Sequence, residues 1–149
     1  METTSLARPQ LKKYFKDYDT YHKNPSNRLC HYIGIPLIAV TLLGLLALVG
    51  GDASLIRLDA GLLLWLVSLA WYLYLDWKIA VPFGFFTLGM YFLGRAMPVP
   101  MLWILFFGGW SLQFFGHYRY EKKSPAFLKN VAHVFVGPLW IFAKFLDYK

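Results

Sequence analysis

The chain has 149 residues, of which 58% are hydrophobic, 19% aromatic and only 15% charged, and its formal net charge is +7. Soluble domains carry about 25% charged residues, so this composition excludes an ordinary soluble protein and predicts an integral membrane protein. The single cysteine, Cys30, excludes an internal disulfide framework. Membrane orientation and anionic lipid account for the positive charge, so no nucleic-acid partner is predicted.

The first predicted element is an amphipathic helix over residues 9–23. Leu11, Tyr18 and His22 recur at helical spacing and share one face, while lysines occupy other positions around the helix. A basic amphipathic helix of this kind is typical of the lipid headgroup layer. Pro25 predicts that the helix ends before it, because the residue preceding a proline avoids the helical region.

Four apolar stretches follow, each near the length of about 20 residues that a helix needs to cross a membrane. They are predicted as spans over residues 33–50, 60–78, 79–95 and 99–117. A polar connection over 51–59 separates the first two, and a last apolar segment, 131–146, could either cross the membrane or dip in and return. The predicted fold class is all-α, a single domain over 1–149 that forms a polytopic membrane helical bundle of four spans with an N-terminal interfacial helix and a short C-terminal apolar helix.

The distribution of basic residues predicts the orientation of this bundle. Four crossings return the chain to the side from which it started. Six of the fifteen basic residues precede the first span and four more lie within 119–129, and Lys and Arg are enriched in cytosolic segments close to a membrane. Residues 1–32 do not have the short apolar core of a cleavable leader. Both segments, and with them the N-terminus, are therefore predicted to be cytosolic.

The four histidines form two pairs at the ends of the apolar region, His22 with His31 and His117 with His133. The predicted topology places all four in one layer at the membrane surface. A single interfacial histidine could be a spacer or a helix cap, but four in one layer favour a metal or catalytic site. Several imidazoles without a cysteine cluster suit zinc or non-haem iron. Zinc would imply hydrolysis and iron would imply oxygen chemistry, and the histidines alone leave this choice open.

Other polar residues accompany the histidines. Gln113, His117 and Glu121 recur every four residues and would stack along one helical face. Glu121 is therefore a further candidate metal ligand, although it could instead pair with a neighbouring lysine. Asn130 lies three residues before His133 and would share its face in a helix.

Two stretches resemble the signatures of the Mpo-type 2-hydroxy fatty acid dioxygenase family. The first runs from Tyr21 to Pro36 and reads YHKNPSNRLCHYIGIP. The second reads QFFGH at 113–117 and continues through Tyr120-Glu121-Lys122, Pro125-Ala126, Asn130 and Gly137-Pro138-Leu139. With the apolar middle, the resemblance covers nearly the whole chain.

The resemblance implies an Fe(II)-dependent membrane enzyme that uses O2 to shorten a 2-hydroxy fatty acid by one carbon, with release of the carboxyl carbon as CO2. The catalytic and iron-binding residues that it implies are His22, His31, His117 and His133. The enzyme would lie in the inner membrane of a bacterium or in the endoplasmic reticulum of a eukaryote. Substrate chain length and oligomeric state stay open.

Supporting roles are predicted for the polar residues around the histidines. Arg28, or a lysine of the 119–129 loop, would pair with the substrate carboxylate, because the planar guanidinium matches two oxygen atoms. Gln113 would contact the substrate or support a ligand. The second ring N–H of a ligating histidine would be received by one of four side chains, which are those of Asn24, Asn27, Asn130 and Asp76.

Alternative interpretations remain for Asp76 and for the function of the whole protein. Asp76 could simply pair with Lys78 or cap its helix. The whole protein could be a zinc-dependent membrane lipid hydrolase or a non-catalytic membrane lipid-binding protein. In the dioxygenase that the resemblance implies, the acyl chain of the substrate would lie between the spans.

Overall fold

The computed structural model describes residues 7–50 and 58–148, and these residues form helices joined by short connections, with no strand among them. Most of the predicted 51–59 connection lies outside the described residues. The helices are α1 (Pro9–Tyr21), α2 (Pro25–Ala47), α3 (Ala60–Ala96), α4 (Val99–Gly116) and α5 (Ala132–Phe145). A π-helical turn, His117–Glu121, continues α4, and a 3-10 turn, Ala126–Leu128, precedes α5.

Helix α1 has the amphipathic character expected for the segment 9–23. Pro9 occupies the first helical position, where its missing N–H costs little. Leu11 and Tyr18 are buried, whereas Lys12 and Lys16 are exposed. The buried face of α1 therefore packs on the rest of the molecule, and its lysines point outward.

Helix α2 begins at Pro25, eight residues before the start predicted for the first span. Asn24 is the N-cap, and its side chain accepts a hydrogen bond from the Ser26 N–H at 2.9 Å. An asparagine cap followed by proline at the first position is a strong helix start, which the sequence interpretation treated only as a break. The helix therefore extends beyond the start of the predicted span, and His31 lies inside it.

Helix α3 is interrupted at Asp76, whose backbone is extended (φ −162°, ψ 100°). Trp65 donates a hydrogen bond from Nε1 to Thr87 Oγ1 at 3.0 Å, although residues 22 apart in a straight helix would be separated by about 33 Å. The rings of Tyr72 and Phe83 also meet, with centroids 5.1 Å apart. The element is therefore two antiparallel arms joined at Asp76.

These two arms correspond to the second and third predicted spans, with the break at Asp76 instead of after residue 78. Three helices, α2, α3 and α4 with its π turn, are long and apolar enough to cross a membrane. The structure is compatible with a membrane protein, and the four crossings stay a prediction. The fold places α1, α5, the π turn and Asp76 at one end of the bundle, because Asp76 Oδ2 accepts hydrogen bonds from the Arg8 N–H and the Tyr148 hydroxyl, both at 2.9 Å.

Helices α2 and α4 make the closest contact of the bundle near that end. A Cβ added to Gly34 would collide with the Gln113 side-chain amide and would lie 2.9 Å from the Gly109 carbonyl oxygen. Glycine at both positions allows the two backbones to approach. This approach brings His31 of α2 and His117, which follows α4, within reach of each other.

Candidate metal centre

Three of the four histidines converge at this end of the bundle. One nitrogen atom from each of His22, His31 and His117 lies within 4.8 Å of the other two. Their side chains come from three different elements, and each residue is at most 2% exposed. Three neutral imidazoles at this separation can hold one transition-metal ion between them.

His22 is presented by the C-terminal end of α1. Its Nδ1 lies 2.7 Å from the carbonyl oxygen of Tyr18, and the Tyr18 ring stacks on the imidazole with centroids 4.0 Å apart. Within the described part of the chain, Nε2 of His22 is buried and has no hydrogen-bond partner. Burial, and then the neighbouring His31, lowers the pKa of His22 to about 2, so the ring is neutral at pH 7, as metal binding requires.

His31 repeats this arrangement on α2. Its Nδ1 lies 2.9 Å from the carbonyl oxygen of Asn27, four residues earlier. A carbonyl acceptor fixes the hydrogen on Nδ1 and leaves Nε2 as the ligand atom. Backbone carbonyls thus orient both rings, whereas the prediction gave this role to side chains, those of Asn24, Asn27, Asn130 or Asp76.

His117 begins the π-helical turn. Turns of this kind are rare in proteins, and those that occur often lie at functional sites. The turn ends at Lys122, which adopts the left-handed conformation with φ 53°, uncommon for a residue other than glycine. Nδ1 of His117 is buried and has no hydrogen-bond partner among the described residues, so this ring also has a nitrogen available to a ligand.

Glu121 closes the π turn and lies outside the group of three histidines. Its Oε1 accepts hydrogen bonds from the Asn24 N–H at 2.7 Å and from Asn27 Nδ2 at 3.2 Å. The carboxylate therefore joins the π turn to the start of α2, close to the carbonyl that orients His31. The arrangement favours a structural role for Glu121, and its role as a ligand stays a prediction.

His133, on α5, is also outside the group of three. Its Nε2 lies 2.8 Å from Asp17 Oδ2 on α1. The Tyr18 ring lies between His133 and His22, with its centroid 5.6 Å from the former. The structure thus brings together three of the four predicted ligands.

The remaining predicted site residues are spread around this end of the bundle. Arg28 donates from Nε to the His22 carbonyl oxygen at 2.6 Å. Gln113 is buried beside the histidines, with Nε2 3.5 Å from the Cys30 carbonyl oxygen. Asn130 is exposed just before α5, and its side chain accepts from the Ala132 N–H at 3.1 Å. Asp76 lies at the break in α3, where its Oδ1 accepts from the Lys78 N–H at 3.2 Å, and its role at the site stays a prediction.

An apolar cavity opens beside the histidines between α2, the two arms of α3, α4 and α5. Along α2 its wall extends from His31 to Leu43, a distance of about 18 Å at a rise of 1.5 Å per residue. Leu64 and Leu69 line it on the first arm of α3. A long apolar molecule with a polar end at the histidines would fit this shape.

Two residues of the site were missed from the sequence. Tyr18 contributes both the acceptor for His22 and the stacked ring, and its spacing of four residues before His22 was a usable signal. Asp17 is exposed on α1 and contacts His133. Its partner is 116 residues away in sequence, so no local pattern could have indicated it.

Comparison with known protein families gives one match. Residues 9–148 match the family described as 2-hydroxy-palmitic acid dioxygenase Mpo1-like. The chain belongs to this family. Comparison with curated proteins and with solved structures gives no match. The resemblance stated from the two motifs is thereby confirmed, and the name of the Mpo1-like family describes a dioxygenase that acts on a 2-hydroxy fatty acid.

The donor set fits the metal that dioxygenase chemistry implies. The buried Nε2 of His22 and Nδ1 of His117 lack partners among the described residues, and a buried polar atom without a partner is costly. Imidazole suits iron, zinc and copper alike. The three histidines thus could hold a metal ion, while its identity has to come from other evidence.

Proposed function

We propose that this protein is an Fe(II)-dependent dioxygenase that uses O2 to shorten 2-hydroxy fatty acids by one carbon. One observation carries the proposal: three buried imidazoles converge at the end of an apolar cavity, in a chain of the Mpo1-like family. His22, His31 and His117 would hold the iron. When bound, iron would supply the redox chemistry with O2.

The protein residues would orient the ligands and exclude water. The carbonyl groups of Tyr18 and Asn27 hold the rings of His22 and His31 in the tautomer that leaves Nε2 available. Glu121 holds the start of α2 against the π turn. Trp140 is fully buried against Tyr18 and His22, and so closes the site on the side away from the cavity.

The acyl chain of the substrate would lie in the apolar cavity with its carboxyl end toward the histidines. Burial of each methylene would contribute about 0.8 kcal/mol, so long chains should bind well with little discrimination between neighbouring lengths. Gln113, which lines the cavity beside His31 and His117, would donate from its amide to the carboxylate. Arg28 is the alternative partner for that group.

The assay that tests this proposal uses protein purified without oxygen. We expect iron as the principal metal, and conversion of 2-hydroxypalmitic acid to the fatty acid one carbon shorter with release of CO2 only when O2 is supplied. The matched controls are the same protein under nitrogen and palmitic acid without the hydroxyl group. Zinc together with oxygen-independent lipid hydrolysis would indicate the hydrolase, and lipid binding without turnover would indicate a non-catalytic protein.

We also propose that the histidine end of the bundle faces the cytosol in an integral membrane protein. Basic residues of α1 and of the segment after the π turn lie at this end, as the positive-inside tendency expects. Two single cysteines in a Cys30→Ala background test the orientation: Lys129→Cys at this end and Leu58→Cys, at an exposed position of the other end.

In intact bacterial cells, a membrane-impermeant maleimide is expected to label the cysteine at 58 and to label the cysteine at 129 only after the cells are opened. The reverse pattern would place the site on the outer face. Labelling of both positions in intact cells would contradict a bundle that crosses the membrane.

A further inference from the structure

His133 is the buried histidine that the proposed iron site does not use. It is 5% exposed, and its Nε2 lies 2.8 Å from Asp17 Oδ2. Its other ring nitrogen, Nδ1, is buried without a hydrogen-bond partner in the described part of the chain. His133 lines the same cavity as the three converging histidines. A buried polar atom of this kind normally has a partner, so a bound ligand is the natural candidate.

The contact with Asp17 decides what kind of partner Nδ1 needs. A carboxylate can only accept hydrogen bonds, so Nε2 of His133 carries the hydrogen of this contact. In the tautomer that has its one ring hydrogen on Nε2, Nδ1 is an acceptor. A carboxylate ligand has no hydrogen to donate, whereas a hydroxyl group does. The complementary group is therefore an O–H donor at the polar end of the cavity.

Several other polar side chains of the cavity already have partners or are not fixed as acceptors. Deep in the cavity, Trp65 and Thr87 bond to each other, and the Tyr72 hydroxyl donates to the Phe135 carbonyl oxygen at 2.7 Å. Gln113 lies at the histidine end, but its amide can rotate between donor and acceptor. In His133, by contrast, the contact between Nε2 and Asp17 places the ring hydrogen on Nε2 and leaves Nδ1 free to accept.

We propose that His133, oriented by Asp17, accepts a hydrogen bond from the 2-hydroxyl group of the substrate and so selects 2-hydroxy fatty acids. The inference rests on the proposed function, and it assigns His133 to the substrate instead of the iron. The 2-oxo fatty acid of the same length is the informative comparison. It carries an oxygen at the same carbon but no hydrogen to donate, and its oxygen would face the Nδ1 lone pair.

The test measures anaerobic equilibrium binding to the iron-loaded full chain. Wild-type protein is expected to bind 2-hydroxypalmitic acid about tenfold more tightly than 2-oxopalmitic acid, the range for a buried acceptor left without its donor. His133→Ala should keep the iron content of the wild type and bind both acids equally. Lys13→Ala, an exposed change on the helix of Asp17, should keep the tenfold ratio.

A second pair of variants tests the orienting role of Asp17. Asp17→Ala should reduce the binding ratio, and Asp17→Asn should largely restore it, because the asparagine carbonyl still accepts from Nε2. These exposed substitutions keep the test usable if His133→Ala does not fold. If wild type, Asp17→Ala and Asp17→Asn all prefer the 2-hydroxy acid to the 2-oxo acid by the same factor, the inference is overturned.

Two results would reassign His133. Loss of iron in His133→Ala, matching that in His31→Ala, would make it a fourth ligand as the family resemblance implies. An unchanged binding ratio in His133→Ala would remove it from the substrate site. If wild-type protein binds no iron and does not turn over the 2-hydroxy acid, the proposed function itself fails, which is a separate outcome.

Discussion

Replacement of His31 by alanine is expected to remove bound iron and to reduce turnover of 2-hydroxypalmitic acid by more than 100-fold. Loss of a group that only orients a ligand costs about 10- to 100-fold in metal affinity or activity, and His31 supplies one of three ligand atoms that lie within 4.8 Å of one another. His117→Ala should have the same effect. Elemental analysis and oxygen-dependent product formation measure both consequences.

The matched controls for these variants come from the same helices. Leu29→Ala, two residues before His31, and Phe115→Ala, two residues before His117, truncate side chains that are 59% and 53% exposed. Both should keep iron and activity, because neither side chain lines the cavity. Full activity in His31→Ala or His117→Ala would contradict the metal centre.

Replacement of Glu121 by alanine is expected to lower the free energy of unfolding by about 2–3 kcal/mol, since hydrogen bonds to charged groups contribute about 1.5–3 kcal/mol. The variant leaves the Asn24 N–H and the Asn27 amide without their acceptor. Because the Asn27 carbonyl orients His31, iron should also be lost more readily. Thermal unfolding in detergent and iron retention against a chelator are the measurements.

Glu121→Gln separates the structural role of Glu121 from a ligand role. Glutamine keeps a carbonyl oxygen that can accept from Asn24, so the loss of stability should be smaller than in Glu121→Ala and iron should be retained. A complete loss of iron in Glu121→Gln, with unchanged stability, would instead support direct ligation. Lys123→Ala, an exposed neighbour, should match the wild type in both measurements.

Apolar periodicity and proline positions predicted helices wherever these signals had only one interpretation. The apolar face of Leu11, Tyr18 and His22, together with Pro25, indicated a helix at 9–23, where α1 lies. The start of α2 was missed because Asn24-Pro25 can both end one helix and begin the next. Only the side-chain bond from Asn24 to the Ser26 N–H distinguishes these two uses.

The hydrogen bonds of Asp76 show why local sequence patterns could not predict all the contacts around the site. The sequence placed an acidic residue between two apolar stretches, near the histidine layer. Its Oδ1 accepts from the nearby Lys78 N–H at 3.2 Å. The partners of its Oδ2 are the Arg8 N–H and the Tyr148 hydroxyl, which lie 68 and 72 residues away in sequence. Such partners depend on how α1 and α5 pack, and hydrophobic periodicity carries no information about that packing.

Composition and periodicity alone determined that this chain is a helical bundle suited to a membrane and that its four histidines lie near the ends of the apolar region. The motifs also determined its family. Only the tertiary structure decided that His22, His31 and His117 meet while His133 pairs with Asp17. The physical reason is that a metal site requires ligand atoms from separate helices to lie within a few ångströms of one another. Long-range packing sets these distances, for example through the close approach of α2 and α4 at Gly34 and Gly109.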